Sequence, residues 1–276
     1  MPVLSSPANG RLRWVRKLAT DRRVRRKEGL WVAEGVRLAE EVLRSELPVR
    51  LWVLEEGWGV GRAREAVVRS ALEARSDESL EVRRGLLLEV ADTETPQGVM
   101  VVFTAPNWCE VDVLAGPGPV VVLDRLQDPG NLGTIARTAE GAGAAGLLLT
   151  PGCADPGSPK ALRASAGSLL RLPTARVEDP LPLLRRAGRA VYATAGSGGT
   201  PYDRADLSQP FALLLGQEGG GLAPGLAEAA DLLLTVPMCG RLESLNVAAT
   251  AAVLLFEAAR QRRGCVPGSG DRQPRT

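Results

Sequence analysis

The chain has 276 residues, of which 45% are hydrophobic, a net charge of +2, and no histidine. That length accommodates two domains that each bury a core, and the missing imidazole removes the usual general base, proton shuttle and metal ligand, and with them much hydrolase chemistry. Cys109, Cys153, Cys239 and Cys265 show no CxxC spacing, and no segment offers a signal-peptide core or about 18 uninterrupted apolar residues, so the expectation is a cytoplasmic protein with reduced thiols, no metal and no membrane span.

The positive charge is unevenly placed. Arg11, Arg13, Arg16, Lys17, Arg22, Arg23, Arg25, Arg26 and Lys27 crowd one stretch, opposed only by Asp21. This suits either a phosphate-binding patch or a solvated helix face. Helical spacing covers residues 12–20 and 33–45, in the second through Val36, Leu38, Ala39, Val42 and Leu43. A strand is expected at 49–54, a helix at 61–74, a strand at 80–82, a short helix at 85–90 and a strand at 99–103. Trp31, Trp52 and Trp58 fit core or rim positions better than base-stacking ones. Residues 1–104 thus read as a small α/β domain with its own core.

Residues 105–118 turn to Pro, Gly and isolated polar residues and read as a linker. Beyond it, strands at 120–124, 146–150, 190–195, 211–216 and 232–236 alternate with helices near 131–141, 158–167, 180–187, 222–230 and 244–261. Continuous apolar strands between helices predict an α/β fold whose parallel sheet is covered on both faces, spanning 119–263. Residues 264–276 hold too little apolar surface to order themselves and read as a disordered tail. A dinucleotide-binding fold would need GxGxxG after the first of these strands; residues 124–133 lack it, and no Walker loop exists.

Three motifs follow directly on such strands. The first, Asp128 to Thr138, reads DPGNLGTIART; the second, Gly216 to Leu222, reads GQEGGGL; the third, Pro237 to Ala248, reads PMCGRLESLNVA. Ligands in open parallel sheets settle beyond the carboxyl ends of the strands, so the three loops are expected to converge on one pocket. Glycines at 216 and 219–221 let backbone approach a ligand without Cβ obstruction.

In this order the motifs resemble those of the SpoU (TrmH) family of RNA ribose 2′-O-methyltransferases, in the SPOUT superfamily. The resemblance covers residues 119–263. A weaker one, to the family's substrate-binding domain, covers residues 12–104, with Glu28–Gly35 (EGLWVAEG) and Thr95–Gly98 (TPQG) as its best-matching words. It implies a SPOUT domain whose last strands and helix form a trefoil knot, an N-terminal RNA-binding domain, S-adenosylmethionine as cofactor, and a homodimer whose partner subunit completes the site. It also implies methylation of a ribose 2′-hydroxyl, in ribosomal rather than transfer RNA because the separate N-terminal domain resembles the ribosomal branch. A transfer-RNA enzyme, a SPOUT enzyme acting on a base, and a non-catalytic RNA-binding protein are the alternatives.

The family's positions carry over residue by residue. Gly216, Val236 and Leu245 fall where adenosylmethionine meets backbone, with Leu215, Gly219 and Met238 beside them. Arg137, Asn131, Glu218, Ser244 and Asn246 match the catalytic polar positions. Arg137 matches the arginine assigned to activating the hydroxyl; because a guanidinium gives up its proton only in strong alkali, orienting the hydroxyl and stabilising an alkoxide is the reading preferred to general base. Asn131 and Ser244 each sit where a helix is expected to begin, so capping is a competing duty for both. Arg22, Arg23, Arg25, Arg26 and Lys27, with Lys160 and Arg163 in a further family-like segment, are the candidate RNA contacts.

Overall fold

The computed structural model describes residues 3–76, 78–91, 93–217 and 219–264. In chain order the elements are α1 (Gly10–Thr20), α2 (Arg22–Glu28), β1 (Leu30–Glu34), α3 (Val36–Arg44), β2 (Val49–Glu55), α4 (Ala63–Arg75), β3 (Ser79–Val82), β4 (Val99–Thr104), α5 (Glu110–Ala115), β5 (Val120–Leu123) and α6 (Pro129–Gly141). They continue with β6 (Gly146–Leu149), α7 (Pro159–Ser165), β7 (Thr174–Arg176), α8 (Leu181–Arg186), β8 (Ala190–Thr194), β9 (Thr200–Pro201), β10 (Phe211–Leu215), α9 (Pro224–Glu228), β11 (Leu232–Thr235) and α10 (Val247–Gly264). The chain divides into two compact units: residues 1–107 with 155–171, and residues 108–154 with 172–276.

The first unit is built on a four-stranded sheet in the order β1-β4-β2-β3, antiparallel except for the β2–β3 pair. Leu12, Val15, Leu18 and Ala19 place one face of α1 into a core shared with Val32, Leu51, Val53, Leu86, Met100 and Val102. Asn9 caps α1 by accepting from the amides of Arg11 and Leu12, and Asp21 caps α2 by accepting from Arg23. Gly29, at φ 63°, ends α2 in the left-handed conformation that glycine enters without strain. Trp52 and Trp58 are buried, and their indole N–H groups donate to the carbonyls of Ser76 and Gln97. That matches the core reading of both.

The second unit is a seven-stranded sheet in the order β7-β6-β5-β10-β8-β11-β9, and every pairing in it is parallel. All residues of β5, β6 and β10 are buried, as expected for strands covered on both faces. The chain runs outward from β5 through β6 to β7 and then fills the other half of the sheet, so the order reverses between β5 and β10. Parallel pairing puts the carboxyl ends of β10, β8 and β11 side by side on one edge.

Three expectations need correction. The segment 105–118 is more than a linker: it contains α5, which packs on β6 and β7 and buries Val113. Its carboxyl end is held by Arg189, a buried guanidinium that donates to the carbonyls of Leu114, Gly116 and Gly118; burial pushes its pKa down. Composition hid this helix, because Pro106 precedes it and the run Gly116 to Pro119 follows it. Residues 155–171, expected within 119–263, group with the first unit, where α7 packs on β1. The last helix is shifted from 244–261 to 247–264. Of the tail 264–276, Gly264 ends that helix and the rest lies outside the described residues. No helix among the described residues is long and apolar enough to cross a membrane.

Candidate active site

A cavity of about 510 Å³ opens where β8, β10 and β11 end. Each strand contributes the loop that follows it: Thr194, Ala195 and Gly196 from β8; Leu215, Gly216, Gln217, Gly219, Gly221 and Leu222 from β10; Leu234 and Val236 from β11. The start of α10 closes it with Ser244, Leu245, Asn246, Val247 and Thr250. Leucine and valine side chains supply an apolar floor, while the loop backbones offer N–H and C=O groups that the sheet no longer uses. That combination, at this size, suits a flat polar heterocycle on an apolar tether.

The β10 loop is shaped by its glycines. Gln217 and Gly221 exchange backbone hydrogen bonds of 3.2 and 3.0 Å, which folds the loop back on itself. Gly216 lies so close beneath the returning strand that a Cβ there would stand 2.5 Å from the Gly221 carbonyl oxygen and closer still to Gly221 C and Leu222 N. Only glycine fits, and the close approach of the two arms that it permits shapes the cavity wall.

The first motif joins the site through α6. Pro at the first helical position and the Asp128 carboxylate, which accepts from the Asn131 amide at 2.8 Å, start that helix. Asp128 is therefore its cap, which leaves the Asn131 side chain for another use: its Oδ1 accepts from Asn246 Nδ2 at 3.3 Å. Asn246 in turn caps α10, its Oδ1 accepting from the Ala248 amide at 2.8 Å. Capping thus falls to Asp128 and Asn246 rather than to Asn131 and Ser244, and Asn246 sits just before the helix instead of one turn inside it. One asparagine pair ties the first motif to the third at the rim of the cavity.

Of the residues expected to hold the cofactor, Gly216, Val236, Leu245, Leu215 and Gly219 line the cavity. Met238 does not; it lies further along the loop after β11. Ser244 and Asn246 line it as well, and Asn131 touches it through Asn246. Glu218 lies outside the described residues. Arg137 departs from the expectation that it points into the same mouth: six residues past Asn131 it is about one and two-thirds turns further along the helix, on a different face. It is exposed, outside the cavity lining, and forms no hydrogen bond or ion pair with another described residue. The loop Thr194–Gly196 was missed by the sequence reading, although a glycine directly after a strand was the signal used for the other loops.

The expected RNA contacts divide in two. Arg22, Arg23, Arg26 and Lys27 are exposed on α2, and Lys160 is exposed on α7. Arg25 is 5% exposed: it pairs with Asp155 at 2.7 Å and donates to the carbonyls of Leu18 and Ala19. Arg25 is a structural brace, not an RNA contact. Arg163 is half-committed in the same way, pairing with the buried Glu34 at 3.4 Å. Cations from α2 and α7, more than a hundred residues apart in sequence, belong to one unit.

The profile of the SpoU rRNA Methylase family matches residues 118–256, and that of the MRM3-like substrate binding domain matches residues 9–101. A 23S rRNA (guanosine(2553)-2′-O)-methyltransferase of Bacillus subtilis, RlmP, is 35% identical over 93% of this chain and 98% of its own length. A 23S rRNA (uridine(2479)-2′-O)-methyltransferase of Streptomyces viridochromogenes is 32% identical over 92% of this chain and 91% of its own. The crystal structure of an AdoMet-bound rRNA methyltransferase from Sinorhizobium meliloti superposes with a TM-score of 0.81 at 32% identity, covering 96% of this chain and 98% of that one. With profile matches in both halves and relatives aligned nearly end to end, the chain belongs to the SpoU rRNA methylase family.

Proposed function

We propose that the protein transfers a methyl group from S-adenosylmethionine to a ribose 2′-hydroxyl of ribosomal RNA. The observation that carries this reading is the convergence of three loops on one glycine-walled cavity in a family member whose relatives bear 2′-O-methyltransferase names. The fit to the donor rests on the chain itself. Gly216 lets the two arms of the β10 loop close on each other where a Cβ would overlap the Gly221 backbone, the loop backbones after β8, β10 and β11 can read an adenine edge, and the leucine and valine floor suits the rest of the molecule. When bound, S-adenosylmethionine supplies a methyl group made electrophilic by its sulfonium, so the protein's task is mainly one of position.

The chain's own residues would meet that task from the rim. The Asn131–Asn246 bridge fixes the mouth, and Ser244 offers a hydroxyl beside it. Arg137, uncommitted to any described side chain, is the guanidinium we assign to orienting the ribose hydroxyl and its phosphate and to stabilising developing alkoxide charge. The exposed cations of α2 and Lys160 would hold RNA phosphates, with the first unit presenting the substrate. The two named relatives carry 2′-O-methyltransferase names for a guanosine and a uridine, consistent with a reaction directed at the ribose that both nucleosides share.

The exposed face of α6 and α10 favours a homodimer. Phe256 is 49% exposed, lies where a Cβ added at Gly141 would meet its ring, and shares a helix face with Ala249, Ala252 and Val253. Exposed Arg137 belongs to the same pair of packed helices, so a second copy laid on this face would bring Arg137 to an assembled site. Light scattering should give twice the chain mass, reduced to one in Phe256→Glu. We further propose that the segment after β11 threads as a trefoil knot and that the enzyme works in the cytoplasm, where ribosomal RNA is found.

The reading is tested by incubating the protein with methyl-labelled S-adenosylmethionine and ribosomal RNA. Label should enter the RNA, and Arg137→Ala should abolish transfer while leaving the fold and donor binding intact. Full activity in that variant removes Arg137 from the mechanism.

A further inference from the structure

The residues between β5 and α6 have a second use. Asp124, the first residue beyond β5, is 3% exposed, and both its carboxylate oxygens are engaged. Oδ1 accepts from the Thr150 hydroxyl at 3.0 Å; Oδ2 accepts from the Ala223 amide at 2.8 Å and from Arg125 Nε at 3.1 Å, with Nη2 of the same guanidinium in ion-pair contact at 3.0 Å. Arg125 then reaches on, donating from Nη2 to the Gly221 carbonyl at 3.3 Å. Gly221 lines the cavity, and Ala223 ends the loop that begins at Gly216. Carboxylate and guanidinium therefore grip the returning arm of the β10 loop at two points.

The backbone of Arg125 makes the grip notable. Its φ is +54°, one of three such values at non-glycine residues among those described. A side chain in that conformation costs about 1 kcal/mol that glycine would not. The Arg125 amide donates to Thr150 Oγ1 at 3.1 Å, so the same hydroxyl that serves Asp124 helps hold the strained turn. The turn sits three residues before Asp128, which starts α6 and so sets Asn131.

We propose that Asp124 and Arg125 form a clamp that holds the Gly216–Ala223 loop in its donor-accepting shape, making both of them positioning residues for the methyl-transfer site. The proposal rests on the donor reading above for its consequence, but the clamp itself is a property of the ligand-free chain. Neither residue touches the cavity; each acts through Gly221 and Ala223. Losing the clamp raises the dissociation constant and the KM for S-adenosylmethionine, leaves the KM for RNA unchanged, and changes kcat less than KM.

Arg125→Gly is the informative variant, because glycine suits a left-handed backbone while the guanidinium is lost with the rest of the side chain. It should still fold, the relief of the positive φ offsetting part of the stability lost when buried Asp124 is left without its guanidinium. It should also weaken S-adenosylmethionine binding at least fivefold by titration calorimetry, and speed hydrogen exchange of amides 216–223 in the free protein. Arg125→Lys, able to reach one acceptor at a time, should recover part of the affinity. Asp124→Asn replaces one acceptor oxygen with a donor facing either Ala223 N–H or Thr150, and should give the same loop exchange and affinity loss. Unchanged loop exchange in folded Arg125→Gly and Asp124→Asn overturns the clamp whether or not the donor binds. Failure of both variants to fold also overturns it, since it would assign the pair to the core. Faster exchange with no donor binding by the wild type would leave the clamp standing and refute the donor reading.

Discussion

Gly216→Ala puts the account under its sharpest steric strain. The added methyl carbon would stand 2.5 Å from the Gly221 carbonyl oxygen and nearer still to two other backbone atoms. Restoring a contact near 3.5 Å requires the Gly221–Leu222 segment to retreat by about 1 Å. That segment is backbone, tied to Gln217 by two hydrogen bonds and held by one from Arg125 to Gly221 and one from the adjoining Ala223 amide to Asp124, so no flexible side chain can absorb the shift. Overpacking of this kind costs about 1–3 kcal/mol, which places the loss of S-adenosylmethionine affinity between about 5- and 150-fold. Two neighbours calibrate it. Gly219→Ala meets no atom within 4 Å but sits at φ +78°, so it carries only backbone strain of about 1 kcal/mol. Gly240→Ala meets nothing and has no positive φ, so it should be silent. Titration calorimetry on the three proteins should rank the affinity losses as 216, then 219, then 240. Wild-type affinity in Gly216→Ala, with its melting temperature unchanged, would refute the idea that this cavity wall receives the donor.

Other consequences lie further from the cavity. Arg25→Met leaves the Asp155 carboxylate buried without its guanidinium and should cost about 3 kcal/mol in urea unfolding; a loss below about 0.5 kcal/mol would return Arg25 to the surface set. Replacing Arg22, Arg23, Arg26 and Lys27 together by Ala should leave stability intact, weaken RNA binding across sequences and flatten its salt dependence, because all four are exposed; an unchanged salt slope would remove α2 from the RNA surface. Hydrogen bonds from Arg260 and then Gln261 pull the Glu257 carboxyl from 4.5 to about 2. A pKa lowered on folding gives stability that is complete above the ordinary value and is lost as pH falls from about 4.5 towards 2, so Glu257→Gln should flatten the acid limb of a pH–stability curve in that window. An acid limb equally steep in the variant would show that the carboxylate contributes nothing there.

Much of this was legible in the residues. Runs such as Val120–Leu123 and Phe211–Leu215 can only be strands buried on both faces, and the glycine directly after the second marks where a ligand could approach. Which strands lie side by side was not legible. The adjacency of β10, β8 and β11 is a property of the sheet order, and without it the glycine after β8 could not be assigned to the same edge as the other loops. Capping stayed open for a similar reason: Asn131 and Asp128 both suit a helix start, and only the turn geometry decides which side chain faces the amides. Arg25 shows the limit of charge counting, since a row of nine cations does not reveal that the seventh of them turns inward to Asp155. The migration of residues 155–171 into the first unit depends on contacts with β1 made more than a hundred residues away.

The central claim is that the three loops present a sulfonium donor to a sugar oxygen. Ribosomal RNA methylated by the purified protein, digested to nucleosides and weighed by mass spectrometry with fragmentation, tests it most directly. The account predicts one added methyl group that stays with the ribose when the glycosidic bond is cleaved. A methyl group that leaves with the base would contradict it.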